Sequence, residues 1–95
     1  MLDIWQSESQ RSDVQMMAEI LRVTRWRDVG DTEISYSVNM NYLQLLSHIN
    51  RLLRLKLLDS KVQENSQVSY QITEKGEILL SQLESIQELL PGIKI

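Results

Sequence analysis

The sequence predicts a mainly α-helical domain that carries one small β-hairpin and ends in an amphipathic helix. Three observations support this fold class. Apolar residues recur with a helical period of about 3.6 residues over residues 12–25 and again over residues 39–55. The period changes to two over residues 58–72, which is typical of strands. Beyond Thr73 the helical period returns, and a chain of 95 residues is short enough to form one domain.

Composition excludes several functional classes. The net charge of -3 and the pI near 5.0 argue against strong non-specific binding to a polyanion. A positive excess occurs only over residues 39–73, where four basic residues oppose two acidic ones. The chain has no cysteine, and the single His48 has no histidine partner, so neither a metal nor a cofactor is expected. No nucleophile–base pair, carboxylate dyad or glycine-rich phosphate loop is present, so the sequence does not predict an enzyme.

The N-terminus is expected to form an arm over residues 1–11. Its Trp5 is predicted to pack on the domain core or on a second subunit. Because this arm is acidic, it does not favour insertion into a nucleic acid groove. No run of apolar residues is long enough to span a bilayer, and no signal-peptide pattern is present. We therefore expect a cytoplasmic protein without a membrane partner.

The first helix is predicted to begin after Ser12, which can cap it, and to end near Arg25. Its inward residues are expected to be Val14, Met17, Ile20, Leu21 and Thr24. The cluster over residues 25–27, Arg-Trp-Arg, fits a contact with a nucleic acid backbone, but the helix dipole also favours arginines at a helix C-terminus. Gly30 lies in the following turn and can adopt the positive φ that ends a helix.

A short second helix is predicted over residues 33–38, with Asp31 or Thr32 as its cap. Ile34 and Val38 should face inward, and Asn39 is expected to cap the long helix that follows. Two helices joined by a tight connection, the second of them amphipathic, form a helix-turn-helix pattern.

The third helix has two predicted faces. The buried face is expected to comprise Tyr42, Leu43, Leu46, Ile49 and Leu53, and the exposed face Asn41, Gln44, His48 and Arg51. Amide, imidazole and guanidinium groups at this spacing suit contacts with phosphates and base edges. An ordinary core helix with a solvated polar side would give the same pattern.

The period of two predicts a hairpin, with strands before and after a polar turn at residues 64–67. A hairpin in this position is the wing that commonly follows a recognition helix, and Lys61 is the only cation it offers to a phosphate. Thr73 should cap the last helix, in which Gly76 allows close approach to a neighbouring backbone.

The last helix carries a narrow apolar stripe at spacings of four, three and four residues: Leu79, Leu83, Ile86 and Leu90. This geometry is typical of a coiled-coil seam. We expect its first half to pack on its own domain and its second half to pair with another copy, before Pro91 ends the helix. The alternative is a stripe that folds back entirely within the chain.

Together these features resemble the winged helix-turn-helix DNA-binding proteins common in archaea. The resemblance rests on Tyr36, Asn39, Asn41 and Tyr42, on a leucine-rich helix ending at Leu57 and Leu58, on the hairpin, and on residues 70–76 with a leucine-rich tail. This family includes a small chromatin-associated protein that dimerises through a C-terminal coiled coil. The resemblance covers about residues 12–90 and implies a winged helix-turn-helix domain at residues 12–76, a dimerisation helix at 77–90 and a tail at 91–95. The acidic charge and the shorter last helix favour a specific regulator over a DNA-compacting protein.

The implied function is that of a homodimeric, nucleoid-associated transcriptional regulator that binds double-stranded DNA sequence-specifically, with helix 3 in the major groove. The predicted DNA-binding residues are Asn41, Gln44, Ser47, His48, Arg51, Arg54 and Lys61, with Arg54 and Lys61 on the phosphate backbone. The predicted dimerisation residues are Leu79, Leu83, Ile86, Leu90 and Trp5. The alternative is a winged-helix protein–protein interaction module without strong DNA binding, which would account for the acidic pI.

Overall fold

The computed structural model describes residues 11–93 and residue 95, so the predictions for Trp5 lie outside the described residues. The elements in chain order are α1 (Asp13–Val23), β1 (Val29–Gly30), α2 (Asp31–Val38), α3 (Tyr42–Arg54), β2 (Leu58–Val62), β3 (Val68–Ile72) and α4 (Glu74–Leu89). The predicted fold class, mainly helical with a β-hairpin, is thereby confirmed. Among the described helices, none is long and apolar enough to cross a membrane.

Side-chain caps fix the starts of three helices. The Ser12 hydroxyl accepts a hydrogen bond from the Gln15 amide at 3.0 Å, and the Thr73 hydroxyl accepts one from the Gly76 amide at 3.0 Å, as the sequence predicted. The predicted cap at Asn39 is wrong. Asn39 instead ends α2 with a φ of 55°, a conformation that asparagine tolerates, and Asn41 caps α3.

The turn predicted around Gly30 is part of a strand. Gly30 has a φ of -79° and does not use the positive φ open to glycine. It precedes α2 as a cap without a side chain, so the predicted cap at Asp31 or Thr32 is wrong. β1 pairs antiparallel with β3, so that the hairpin becomes a three-stranded sheet in the order β1-β3-β2. A strand of two residues is too short to leave a period in the sequence.

The predicted hairpin is confirmed, and its register runs from Leu58 opposite Ile72 to Val62 opposite Val68. Leu58 and Tyr70 are buried against the helices, whereas Val62 and Val68 are exposed at the far end of the hairpin. A two-stranded hairpin is marginal in water, so contact with the helices and with β1 stabilises this wing.

The core lies between the helices and the inner face of the sheet. Ile20 and Leu21 of α1 and Thr24, its C-terminal cap, are buried as predicted, but Val14 is exposed and Met17 only half-buried. Met16 and Ala18 are buried in addition. The reason is that α1 packs against α2, α3 and α4 at once, so more than one side of it is covered.

Salt bridges from Arg22 in α1 and from Arg25, which follows α1, connect this part of the chain to α4. The Arg25 Nε lies 2.9 Å from the Glu77 Oε1, and the Arg22 Nε lies 3.3 Å from the Glu84 Oε2. The hydrogen bond from Arg25 to Glu77 raises the pKa of Arg25. Arg27 is paired with Glu33. Both arginines of the Arg-Trp-Arg cluster therefore have partners within the chain, which favours the structural interpretation over a nucleic acid contact.

Candidate nucleic-acid interface

The outward face of α3 is defined by Leu43, Ser47, Asn50 and Arg54, which recur at spacings of four, three and four residues and are all exposed. The opposite side of the helix is buried and comprises Leu45, His48, Ile49 and Leu52. The buried side chains of Leu45, Ile49 and Leu52 hold α3 in this rotation, because they belong to the core.

The predicted rotation of α3 is wrong at several positions. His48 was expected to face outward, but only 8% of its surface is exposed. Leu43 was expected to be buried, but it is 78% exposed, and Tyr42 is half exposed. Aliphatic residues point in several directions around this helix, because Leu45 and Leu52 lie away from the predicted apolar face. The helical period alone therefore left the buried direction ambiguous.

Three of the predicted DNA-binding residues lie at the margin of α3 or at its start. The amide of Gln44 lies 3.5 Å from the Met16 sulfur, and the Arg51 Nη1 lies 3.5 Å from the Asp13 Oδ2, so both side chains lean toward α1. Asn41 uses its carbonyl oxygen to cap α3, at 2.8 Å from the Gln44 amide nitrogen. All three residues are exposed, so their predicted contact with DNA stays a prediction.

The other predicted positions, Ser47, Arg54 and Lys61, are exposed on α3 and β2. Asn50 lies between Ser47 and Arg54 on the same face, but it is not among the DNA-binding residues predicted from the sequence. The polar spacing of three and four residues over 47–54 was the available signal.

The free positive charge lies near the C-terminal end of α3 and on the wing. Within residues 11–93, four cations have no salt-bridge partner: Arg54, Lys56, Lys61 and Lys75. The Lys75 Nζ donates a hydrogen bond to the Leu55 carbonyl at 2.8 Å, which places this cation beside the end of α3. An anionic ligand would thus be attracted to this end of the helix.

An acidic groove of about 680 Å³ lies on the other side, between the start of α2, α3 and β3. The Tyr42 hydroxyl donates to the Asp31 carboxylate at 2.8 Å, which raises the pKa of Tyr42. Burial, and secondarily the charge of Asp31, raises the pKa of Tyr70. The Arg27 hydrogen bond lowers the pKa of Glu33 and keeps that carboxylate ionised. The lining of the groove contains no cation, and Asp31 is its one carboxylate without a salt bridge among the described residues, in contrast to the C-terminal end of α3.

A C-terminal apolar stripe is exposed beyond the domain core and comprises Ile86, Leu89, Leu90 and Ile93. Leu79 and Leu83, which precede it, are half-buried against the core, as predicted for the first half of the stripe. Leu89 was not among the predicted dimerisation residues, although it is 79% exposed. Pairing of this stripe with another copy stays a prediction.

Known proteins share this architecture. The sequence profile of the winged helix-turn-helix family matches residues 10–90. A similar solved structure is Sso10a-2, a DNA-binding protein from Sulfolobus solfataricus, with 26% identity and a TM-score of 0.76 over 86% of this chain and 84% of that chain. This similarity confirms the predicted resemblance to the winged helix-turn-helix DNA-binding proteins of archaea.

Two bacterial structures are similar in fold. A mutant of MepR from S. aureus, bound to an oligodeoxyribonucleotide, has 15% identity and a TM-score of 0.71 over 95% of this chain and 67% of that chain. Streptococcus pneumoniae FabT in complex with DNA has 15% identity and a TM-score of 0.68 over 96% of this chain and 65% of that chain. No curated protein sequence matches the chain. The match of the family profile to residues 10–90 and the observed fold show that the chain belongs to the winged helix-turn-helix family.

Proposed function

We propose that the protein is a transcriptional regulator that binds double-stranded DNA as a homodimer, with the outward face of α3 in the major groove. The observation that carries the proposal is the chemistry of this face. It presents a hydroxyl, a carboxamide and a guanidinium from Ser47, Asn50 and Arg54, and none of the three side chains has a hydrogen-bond partner among the described residues. Such a protein is expected in the cytoplasm, associated with the nucleoid.

Each of these groups has a role in DNA recognition. The Asn50 carboxamide is suited to a bidentate contact with adenine, and Arg54 is suited to guanine or phosphate. Lys61 on the wing, together with Lys56 and Lys75, would contact the phosphate backbone and fix the register. Gln44, Arg51 and Asn41 would make secondary contacts at the margin, and His48 has no part because it is buried.

The relatives support the same interpretation. Sso10a-2 is a DNA-binding protein, and the MepR and FabT structures contain DNA. The groove beside Asp31 has no cation in its lining, so the cations without a salt bridge lie near the C-terminal end of α3 and on the wing. This favours binding that depends on base contacts over general coating of DNA.

The proposed homodimer forms through the C-terminal apolar stripe. Its four large aliphatic residues are exposed on the last turn of α4 and just beyond it, where burial against a second copy would remove them from water. A chain of this size would also gain stability from dimerisation.

Leu89→Glu is therefore expected to raise the dissociation constant of the dimer at least about tenfold, because an aliphatic contact is lost in each of two copies and a charge is desolvated. Sedimentation equilibrium measures this change. Ser81→Glu is the matched control, since it adds the same charge at an exposed position of α4 outside the stripe. A wild-type protein that is monomeric at all concentrations, or a Leu89→Glu variant that dimerises normally, would refute the proposed interface.

A protein-interaction module is the second candidate. Exposed apolar side chains outside the dimerisation stripe favour it: Tyr36 is 92% exposed on α2, and Val62 and Val68 are exposed at the tip of the wing. An apolar protein interface would bind with little dependence on salt, whereas contacts to phosphate weaken steeply with salt.

Selection from a pool of random duplex DNA, at low and at moderate salt, tests the proposed function. We expect enrichment of one sequence by the wild type and none by the Asn50→Ala/Arg54→Ala variant. Circular dichroism would verify that both proteins are folded. Failure of the folded wild type to retain any duplex at low salt would reject DNA binding and favour the protein-interaction module.

A further inference from the structure

We propose that Leu43 is a specificity-determining residue that contacts the 5-methyl group of a thymine in the major groove. The inference rests on the proposed function and specifies the DNA that the surface selects. Leu43 is 78% exposed and makes no contribution to the buried core, which consists of other residues of α3.

The position of Leu43 supports a contact with a base edge. It is the second residue of α3 and lies on the same line as Ser47, Asn50 and Arg54. The N-terminal residues of a recognition helix commonly reach the base edges in the major groove. A DNA contact made by Asn50 would therefore bring Leu43 to the floor of the same groove.

The chemistry of the major groove leaves one partner for an aliphatic side chain. Of the groups that the four bases present there, the thymine methyl is the largest apolar one, whereas the amino, carbonyl and N7 groups donate or accept hydrogen bonds. Leu43 facing a polar edge would desolvate it without a hydrogen bond, which is unfavourable. Leu43 thus both attracts thymine and disfavours the other bases at one position.

The spacing along α3 makes the inference more specific. Leu43 and Asn50 are seven residues apart, which corresponds to about 10 Å along a helix axis. Successive base pairs are about 3.4 Å apart. If α3 lies along the groove, the selected sequence should contain a thymine about three steps from the adenine contacted by Asn50.

The test removes the methyl group without changing base pairing. In the selected duplex, each thymine is replaced in turn by deoxyuridine, and the affinities of the wild type, Leu43→Ala and Ile78→Ala are measured at one salt concentration. Ile78 is the matched control, because it is an exposed aliphatic residue of the same size on α4. Leu43→Ala is expected to fold normally, since Leu43 is exposed.

We expect the wild type and Ile78→Ala to lose affinity about fourfold at one thymine, as burial of a single methyl group implies. Leu43→Ala should bind the thymine and deoxyuridine duplexes equally at that position. Equal binding of both duplexes by the wild type at every thymine would overturn the role of Leu43 and leave DNA binding intact. An equal loss in Leu43→Ala would assign the methyl contact to another residue, and absence of any duplex binding would reject the proposed function together with this inference.

Discussion

Substitution of Asn50 and Arg54 by alanine is expected to weaken binding to the selected duplex more than about 100-fold. Each side chain can make a bidentate contact worth about 1–3 kcal/mol, so the loss of both should cost about 3 kcal/mol. The two residues lie on the outward face of α3 and have no salt-bridge or hydrogen-bond partner among the described residues, so the substitution should leave the fold intact. Fluorescence anisotropy with a labelled duplex measures the affinity.

The Gln44→Ala/Arg51→Ala variant is the matched control, because it also removes one carboxamide and one guanidinium from α3. These side chains lean toward Met16 and Asp13 at the margin of the helix. We expect them to contribute only about 1 kcal/mol, or about fivefold in affinity. A larger loss in this control than in the Asn50/Arg54 variant would mean that DNA meets α3 from the side facing α1, contrary to the proposed interface.

Gly76→Ala is expected to lower the free energy of unfolding by about 2–3 kcal/mol. A Cβ at this position would lie 2.3 Å from the Leu57 carbonyl oxygen and 2.7 Å from the Ile72 Cγ1. The carbonyl belongs to the backbone, which also accepts the hydrogen bond from the Thr73 amide, so it cannot move aside without breaking the junction of wing and helix. Urea denaturation measures the change.

The sign of this effect is diagnostic. Glycine to alanine in a helix usually stabilises by about 1 kcal/mol, through helix propensity. Gly92→Ala is the control, because a Cβ there would have no neighbour within 4 Å. We expect the control to stay within about 0.5 kcal/mol of the wild type. A Gly76→Ala protein that is more stable than the wild type would show that α4 does not press against residue 57 in solution.

Local signals predicted much of the fold. The caps at Ser12 and Thr73 depend on hydrogen bonds to residues three positions away, and the alternation of residues 58–72 predicted the hairpin, although not its register. The close packing at Gly76 was also predicted, because a glycine in the first turn of a helix needs a reason. The cap interactions are contained in a short window of sequence, whereas at Gly76 only the close approach was predicted and not its partner Leu57, 19 residues away.

Features that depend on distant partners were not predictable. β1 is a strand only because β3 offers it an edge, and its two residues have no period of their own. Arg11 was assigned to the N-terminal arm, but its guanidinium donates to the carbonyls of Val38 and Asn39 at 2.9 and 3.0 Å and pairs with Glu19. Nothing in the sequence near Arg11 indicates partners that lie 27 and 28 residues away.

The sequence predicted which helix carries the candidate site, but not which face of that helix is exposed. α3 was correctly located, and Ser47 and Arg54 lie on its outward face, whereas His48 is buried. Leu45 and Leu52 decide the rotation because they complete the core with α1 and the sheet. Several aliphatic directions compete on this helix, so only tertiary packing selects one of them.

The salt dependence of binding to the selected duplex tests the proposed DNA recognition most directly. Four cations have no salt bridge among the described residues: Arg54, Lys56, Lys61 and Lys75. If each of them contacts one phosphate, one protomer makes four such contacts. The logarithm of the binding constant should therefore fall with the logarithm of the salt concentration with a slope no steeper than about -3.6 for each protomer, or about -0.9 for each phosphate contact. Binding that does not change with salt, or no binding by the folded protein at low salt, would contradict DNA recognition through α3 and the wing.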